Sequence, residues 1–286
     1  GRKPALAHRS DGSGSSGEVP VTVFYDPSAR PQLSGRFRYT ARPVPLRGRF
    51  FHPKLIVLAG RGEDGNDWVY LSVASANLTL SGWGRNAEGW AETWIHTRAQ
   101  QAWSALHKFL AWLSDYASLG VRPDASDAPR RITELLEGMS SRRRFRDLGD
   151  QPYADSLHAH LYVSVVHKKG LAAFLRMGRK RAPAELWAYS PYWGNIHDQV
   201  RAFGARRTTL VPALLPRGES MVGISETSAA ALPSSVEVRR NADDQGEPFW
   251  HLKAIWIRHG NQGHTAIGSC NFTHAGLAGA AGNVEA

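Results

Sequence analysis

The feature that most constrains this chain is a duplication. Residues 51–58 read FHPKLIVL and residues 250–257 read WHLKAIWI. Each is an apolar run broken only by His-x-Lys: His52 and Lys54 in one copy, His251 and Lys253 in the other. Downstream of each run the same order recurs. A polar turn leads to SVASANLT (72–79) and GRNAEGW (84–90) in the first copy, and to AIGSCNFT (266–273) and AGNVEA (281–286) in the second. A single His-x-Lys carries little weight, because two-residue patterns arise by chance. An ordered set met twice marks an internal repeat.

Residues i and i+2 of an extended chain share a face. His52 therefore projects with Lys54, Ser75 with Asn77, His251 with Lys253, and Ser269 with Asn271. The opposite face is apolar (Phe51, Leu55 and Val57; Trp250, Leu252, Ala254 and Trp256), and so are the flanking positions on the histidine face (Phe50 and Ile56; Phe249, Ile255 and Ile257), which predicts strands buried on both sides. An unpaired buried lysine costs roughly several kcal/mol, so these lysines must be paired or line a wet cleft. A pseudo-twofold pairing of the copies would bring both sets to one cleft.

Two histidines, two lysines and two asparagines around a cleft suit a concentrated negative charge. Lys54, Lys253, Asn77 and Asn271 can donate to non-bridging phosphate oxygens. One neutral imidazole can attack phosphorus while the other protonates the leaving oxygen and later activates water. Glu88 and Glu285 fit the supporting role: a carboxylate accepting from Nδ1–H fixes the tautomer that leaves Nε2 available. Which glutamate serves which histidine is left open by the sequence. Ser75 and Ser269 are read as hydrogen-bonding partners within the site, and Asn86 and Asn283 as stabilisers of the loops that carry the glutamates.

The rest of the chain supplies context. Strand patterns at 21–26, 36–44, 50–59 and 67–77 precede a helix at 98–117, whose Trp103, Leu106, Leu110 and Leu113 recur at helical spacing. Strand patterns resume at 158–166, 185–193, 208–215, 235–240, 249–257 and 264–272, with helices at 169–180 and 195–205. The alternation predicts an α/β sandwich. We divide the chain into a linker or partial N-terminal segment (1–20), a first half (21–120), a basic linker (121–150) and a second half (151–286). The net charge of +10 favours a polyanionic partner, with basic clusters at 141–146, 167–169, 176–181, 206–207 and 239–240. No apolar run reaches the length of a membrane span. The single cysteine, Cys270, excludes an internal disulfide and suits a reducing, cytoplasmic compartment.

The strings HPK…SANLT…NAE and HLK…GSCNFT…NVE resemble the phospholipase D superfamily. AYSPYW (188–193) is similar to the Ser-Pro strand of many of its domains. The commonest pattern of that family has an aspartate five residues after the lysine; here Ala59 and Arg258 stand in those places. The sequence is closer to the His-Lys-Asn variant, typified by tyrosyl-DNA phosphodiesterases. The resemblance implies two pseudo-symmetric α/β sandwich halves sharing one active site, and a phosphodiesterase with a phosphohistidine intermediate and neither metal nor cofactor. It also implies His52 as nucleophile and His251 as acid/base. We expect a nucleic-acid substrate, DNA ahead of RNA, and a nuclease that acts within a bacterial defence or repair system, with further subunits as partners. Two alternatives are a phospholipase or phosphatidyl transferase on the same scaffold, and a nucleic-acid-binding subunit active only in a larger complex.

Other candidates read more simply. His158 and His160 share a strand face but lack companion ligands, so they are taken as structural. Cys270 is expected to be a buried, inert thiol facing away from the site. Tyr192, Trp193, Trp83 and Trp90 are taken as core, with base stacking at the cleft as the alternative.

Overall fold

The computed structural model describes residues 21–28, 39–61, 67–77, 79, 82, 84, 86–94, 100–117, 160–176, 179–213, 224–239 and 250–286. The segments 1–20 and 121–150, together with His158 and Trp83, lie outside these residues. The fold is mixed α/β with several sheets and few helices.

Strands β1 (Thr22–Tyr25) and β2 (Thr40–Pro43) form a parallel pair. Strands β3 (Leu55–Arg61), β4 (Asp67–Ala74) and β5 (Trp90–Trp94) form an antiparallel sheet in that order. On β4, Val69, Leu71 and Val73 are buried against Leu106, Phe109, Leu110 and Leu113 of α1 (Gln100–Ala117), and Ser72 and Ala74 on its other face are buried as well. Leu161, Val163 and, from the far end of the chain, Val284 and Ala286 complete this core.

The larger sheet has the order β10-β9-β6-β7-β8. Its strands are β6 (Glu185–Ser190), β7 (Arg207–Pro212), β8 (Val236–Val238), β9 (Ala254–His259) and β10 (Gln262–Ile267). β6, β7 and β8 run parallel, whereas β9 is antiparallel to both β6 and β10. Leu186, Ala188, Leu210, Ile255 and Ile257 pack with α2 (Leu171–Arg176) and α3 (Ile196–Phe203) through Leu171, Leu175, Ile196 and Phe203. α4 (Glu226–Ala230) and α5 (His274–Leu277) are short. Asn195 caps α3 by accepting from the Asp198 N–H, and Gly204 ends it in the left-handed region at φ 61°. Among the described residues no helix is long and apolar enough to cross a membrane.

Two expectations are corrected. The run at 158–166 is not a strand over its described part, His160–Val166. The N–H groups of Val166 and His167 both turn back to the Val163 carbonyl, at 3.0 and 2.8 Å, so the apolar residues are buried without a ladder. The strand after the first His-x-Lys triplet is also not buried on both sides, for Leu58 on β3 is 50% exposed, whereas β9 is buried or half-buried throughout.

Candidate active site

The two triplets lie immediately before β3 and β9 rather than within them. Each is extended and pinned by a segment from the other copy of the repeat. Phe51 forms an isolated parallel bridge with Val284, and Trp250 forms one with Ala87. The His52 N–H donates to the Val284 carbonyl at 2.9 Å, and the His251 N–H donates to the Ala87 carbonyl at 3.0 Å.

That crossing decides the pairing the sequence left open. The residue after Val284 is Glu285, whose Oε2 accepts from His52 Nδ1 at 3.0 Å. The residue after Ala87 is Glu88, whose Oε1 accepts from His251 Nδ1 at 2.8 Å. Each histidine is therefore held by the glutamate of the other copy. Period-two geometry holds across each triplet: Lys54 Nζ lies 2.8 Å from His52 Nε2, and Lys253 Nζ lies 2.9 Å from His251 Nε2.

The next element makes corresponding hydrogen bonds in both copies. The Ala74 N–H donates to the Lys54 carbonyl at 2.9 Å, and the Gly268 N–H to the Lys253 carbonyl at 3.3 Å. The Ser75 N–H meets the Gly89 carbonyl at 2.9 Å, and the Ser269 N–H meets the Ala286 carbonyl at 2.8 Å. Thr79 and Thr273 each donate their N–H to the carbonyl of the site asparagine, Asn77 or Asn271, at 2.8 Å. Their hydroxyls accept from the N–H groups of Gly82 and Gly276, both at 3.1 Å. A Cβ on either glycine would sit 2.4 Å from the asparagine carbonyl oxygen, so only glycine closes this turn.

Lys54 and Lys253 are buried, at 9% and 2% exposure, and both glutamates act on both of them. Burial pulls Lys54 down to about 8, opposed by Glu285 and Glu88. Burial and the nearby Lys54 ammonium pull Lys253 down to about 7, against the same two carboxylates. The imidazole of His251 is lowered by burial and by Lys253, with Glu88 pulling the other way. The influence of Lys54 on Lys253, and of both glutamates on both lysines, joins the two triplets electrostatically.

The remaining site residues divide. Ser75 Oγ donates to Glu88 Oε2 and accepts from the Gly89 N–H at 2.9 Å. Ser269 Oγ instead donates to the Ala286 carbonyl and accepts from the Ala286 N–H, both at 3.0 Å. Asn86 donates to Glu88 Oε1 at 3.3 Å, while Asn283 Oδ1 accepts from the Phe50 N–H at 3.1 Å. Asn86 thus steadies the glutamate of its own loop, while Asn283 ties its segment across to Phe50. Asn77 is exposed. Asn271 is half-buried, and its Oδ1 has no hydrogen-bond partner among the described residues. Cys270 is buried in the second core, where burial and the proximity of Glu285 push its thiol well up.

Several supporting residues escaped the sequence reading. Ser164, 1% exposed, brackets Glu285: its Oγ accepts from the Glu285 N–H at 3.0 Å, and its own N–H donates to the Glu285 carbonyl at 3.0 Å. Asp26 Oδ2 accepts from the Phe51 N–H at 2.7 Å, beside His52. Ser190, its counterpart in the second copy by sequence, bonds elsewhere: its Oγ accepts from the Phe272 N–H at 3.0 Å, beside Asn271. The parallel strings FYDPS (24–28) and AYSPY (188–192) carried that signal, and a glycine three residues after each Thr carried the other. Of the aromatics, Trp193 packs on Phe272 at 5.1 Å, whereas Tyr192 is 53% exposed and meets the His251 ring edge-on at 6.3 Å.

In comparison with known proteins, no family model matches the chain and no curated protein matches it.

Proposed function

We propose that the chain is a metal-independent phosphodiesterase that cleaves nucleic acid through a phosphohistidine, built from two pseudo-symmetric halves around one site. The observation that carries this reading is the crossed pairing: each imidazole has a glutamate on Nδ1 and a lysine on Nε2. Nδ1–H donation to carboxylate sets the tautomer with a lone pair on Nε2, the form needed for attack or proton transfer. Both Nε2 atoms already face an ammonium group. A phosphate brought there would exchange the lysine from nitrogen to a non-bridging oxygen, placing positive charge where negative charge develops.

His52 is the better nucleophile, because its side chain is 34% exposed against 10% for His251. Its Nε2 attacks phosphorus, forming the N–P bond as the P–O bond to the leaving strand breaks. His251 enters this step as the imidazolium, with Nδ1–H on Glu88 and a proton on Nε2; it delivers the Nε2 proton to that oxygen, then takes one from water as the water oxygen displaces His52. Glu285 and Glu88 steady the two imidazoles through both steps. The charge of +10 supports a polyanionic substrate, and the exposed Tyr192 beside His251 offers an aromatic face for a base. The test is cleavage of labelled DNA and RNA in EDTA by the wild type, His52→Ala and His251→Ala. Cleavage confined to the wild type is expected. Undiminished cleavage by either variant, or strict dependence on added metal, would sink the reading.

A further inference from the structure

Basic clusters far apart in the sequence meet at one end of the larger sheet, the end away from His251. β6 begins there at Glu185, which is in register with Arg207 on β7 and Arg258 on β9. The Arg206 N–H donates to the Pro183 carbonyl at 3.0 Å, which ties the start of β7 to the loop holding Arg179, Lys180 and Arg181. Arg179 in turn hydrogen-bonds Gln262 on the β9–β10 hairpin. Lys180, Arg181, Arg206 and Arg207 are exposed. Glu185, the carboxylate on this edge, is taken by Arg258 at 2.6 Å. Burial and the adjacent Arg179 hold His259 and His264 below the ordinary imidazole range, as a strongly cationic neighbourhood requires. At its other end β6 reaches Ser190, which is bonded to Phe272 beside Asn271.

The geometry points to a second nucleic-acid contact at this pole: Lys180, Arg181, Arg206 and Arg207 grip the backbone of a duplex whose scissile strand lies at the histidines. This rests on the nucleic-acid reading of the site for its substrate class, but not on the chemistry there. Six residues of β6, at about 3.3 Å each, separate pole from site by roughly 20 Å. A duplex advancing about 3.4 Å per base pair spans that gap only when longer than about six base pairs. Phosphate contacts of this kind set register and affinity without reading sequence.

The test compares the wild type with a quadruple variant, Lys180→Ser/Arg181→Ser/Arg206→Ser/Arg207→Ser, and with a charge-preserving variant, Arg181→Lys/Arg206→Lys/Arg207→Lys. Anisotropy of a labelled duplex of about 30 base pairs is read across a salt series, each neutralised phosphate contact contributing about 0.9 to the slope. The quadruple variant is expected to lose about 3.6 from that slope and at least about tenfold in affinity, while the charge-preserving variant keeps both. Cleavage of a single strand of about four nucleotides, too short to span the gap, should be the same in all three proteins. An unchanged slope overturns the inference. So does an equal loss on the short strand, or binding of phosphatidylglycerol vesicles but not duplex. If the wild type binds duplex with the pole-dependent slope yet cleaves nothing, the catalytic reading falls and the pole stands. If cleavage proceeds and the slope is unmoved, the pole falls alone.

Discussion

The two histidine stations are built from the same residues and differ in how tightly they are closed. At His251 the ring is 10% exposed, and Glu88 is occupied on both oxygens: Ser75 donates to Oε2, while Asn86 and the imidazole share Oε1. At His52 the ring is 34% exposed. Glu285 is fully buried there, yet its Oε1 has no hydrogen-bond partner among the described residues. The serine that would match Ser75, Ser269, is turned to the Ala286 backbone instead. Duplicated geometry thus carries two different environments. An open imidazole suits attack on a bulky phosphodiester, and a shielded one suits proton transfer, where only a hydrogen must pass.

The comparison can be broken most sharply at the rings themselves. His52→Ala should reduce cleavage by about 10⁴-fold or more, and single-turnover assays should show no covalent intermediate. His251→Ala should reduce cleavage of ordinary strands comparably, yet spare a substrate whose leaving group is p-nitrophenol, which needs no acid. Equal losses on both substrates would erase the division of roles.

The glutamates test the same contrast one contact further out. Glu285→Gln can turn its amide nitrogen toward the side with no partner and keep an oxygen on His52. Glu88→Gln must place its NH₂ against either Ser75 or the Asn86–imidazole pair. We expect Glu88→Gln to lose about 1–3 kcal/mol in denaturant unfolding and Glu285→Gln less, because a buried donor set against a donor costs its full desolvation. Matching losses would show that the two carboxylates are equally committed.

Much of this was legible in the sequence because repetition exposes constraint. His-x-Lys, Ser-x-Asn and Asn-x-Glu recur with the spacing that same-face projection requires, and buried lysines must be paired or line a wet cleft. The helix at 98–117 and the strand at 185–193 were visible from periodicity, within a few residues at their ends. What stayed hidden is long-range pairing. Nothing local says that Val284 bridges Phe51, or that Glu285 crosses to His52, because those contacts belong to parallel bridges between distant segments. The run at 158–166 misled for the same reason: its apolar residues fill a core, but its backbone is bonded to the C-terminal segment and to its own turn.

Two smaller effects sharpen the electrostatics. Lys253 and Lys54 have folded-state values near 7 and 8, below their value in the unfolded chain. Between about pH 7 and pH 10 the unfolded state therefore binds more protons, and stability should rise with pH across that window. Thermal melting of the wild type against Lys253→Met checks the sign, and the variant should show a flatter rise. Over the same window the ammonium groups that hold phosphate are lost, so kcat/KM should fall from about pH 7 upward rather than near pH 10. An activity plateau to pH 10 would mean that neither lysine grips substrate.

The most direct measurement is the identity of the residue that carries phosphorus. A single strand ending in a 3′-p-nitrophenyl phosphate ester is mixed with the wild type, His251→Asn and His52→Ala in EDTA. Each reaction is quenched in alkali, which spares phosphohistidine, and the labelled peptide is sequenced. We expect an acid-labile adduct on His52 that persists in His251→Asn and is absent from His52→Ala. An adduct on His251, or metal-free cleavage with no adduct on either histidine, would contradict the assignment of His52 as nucleophile.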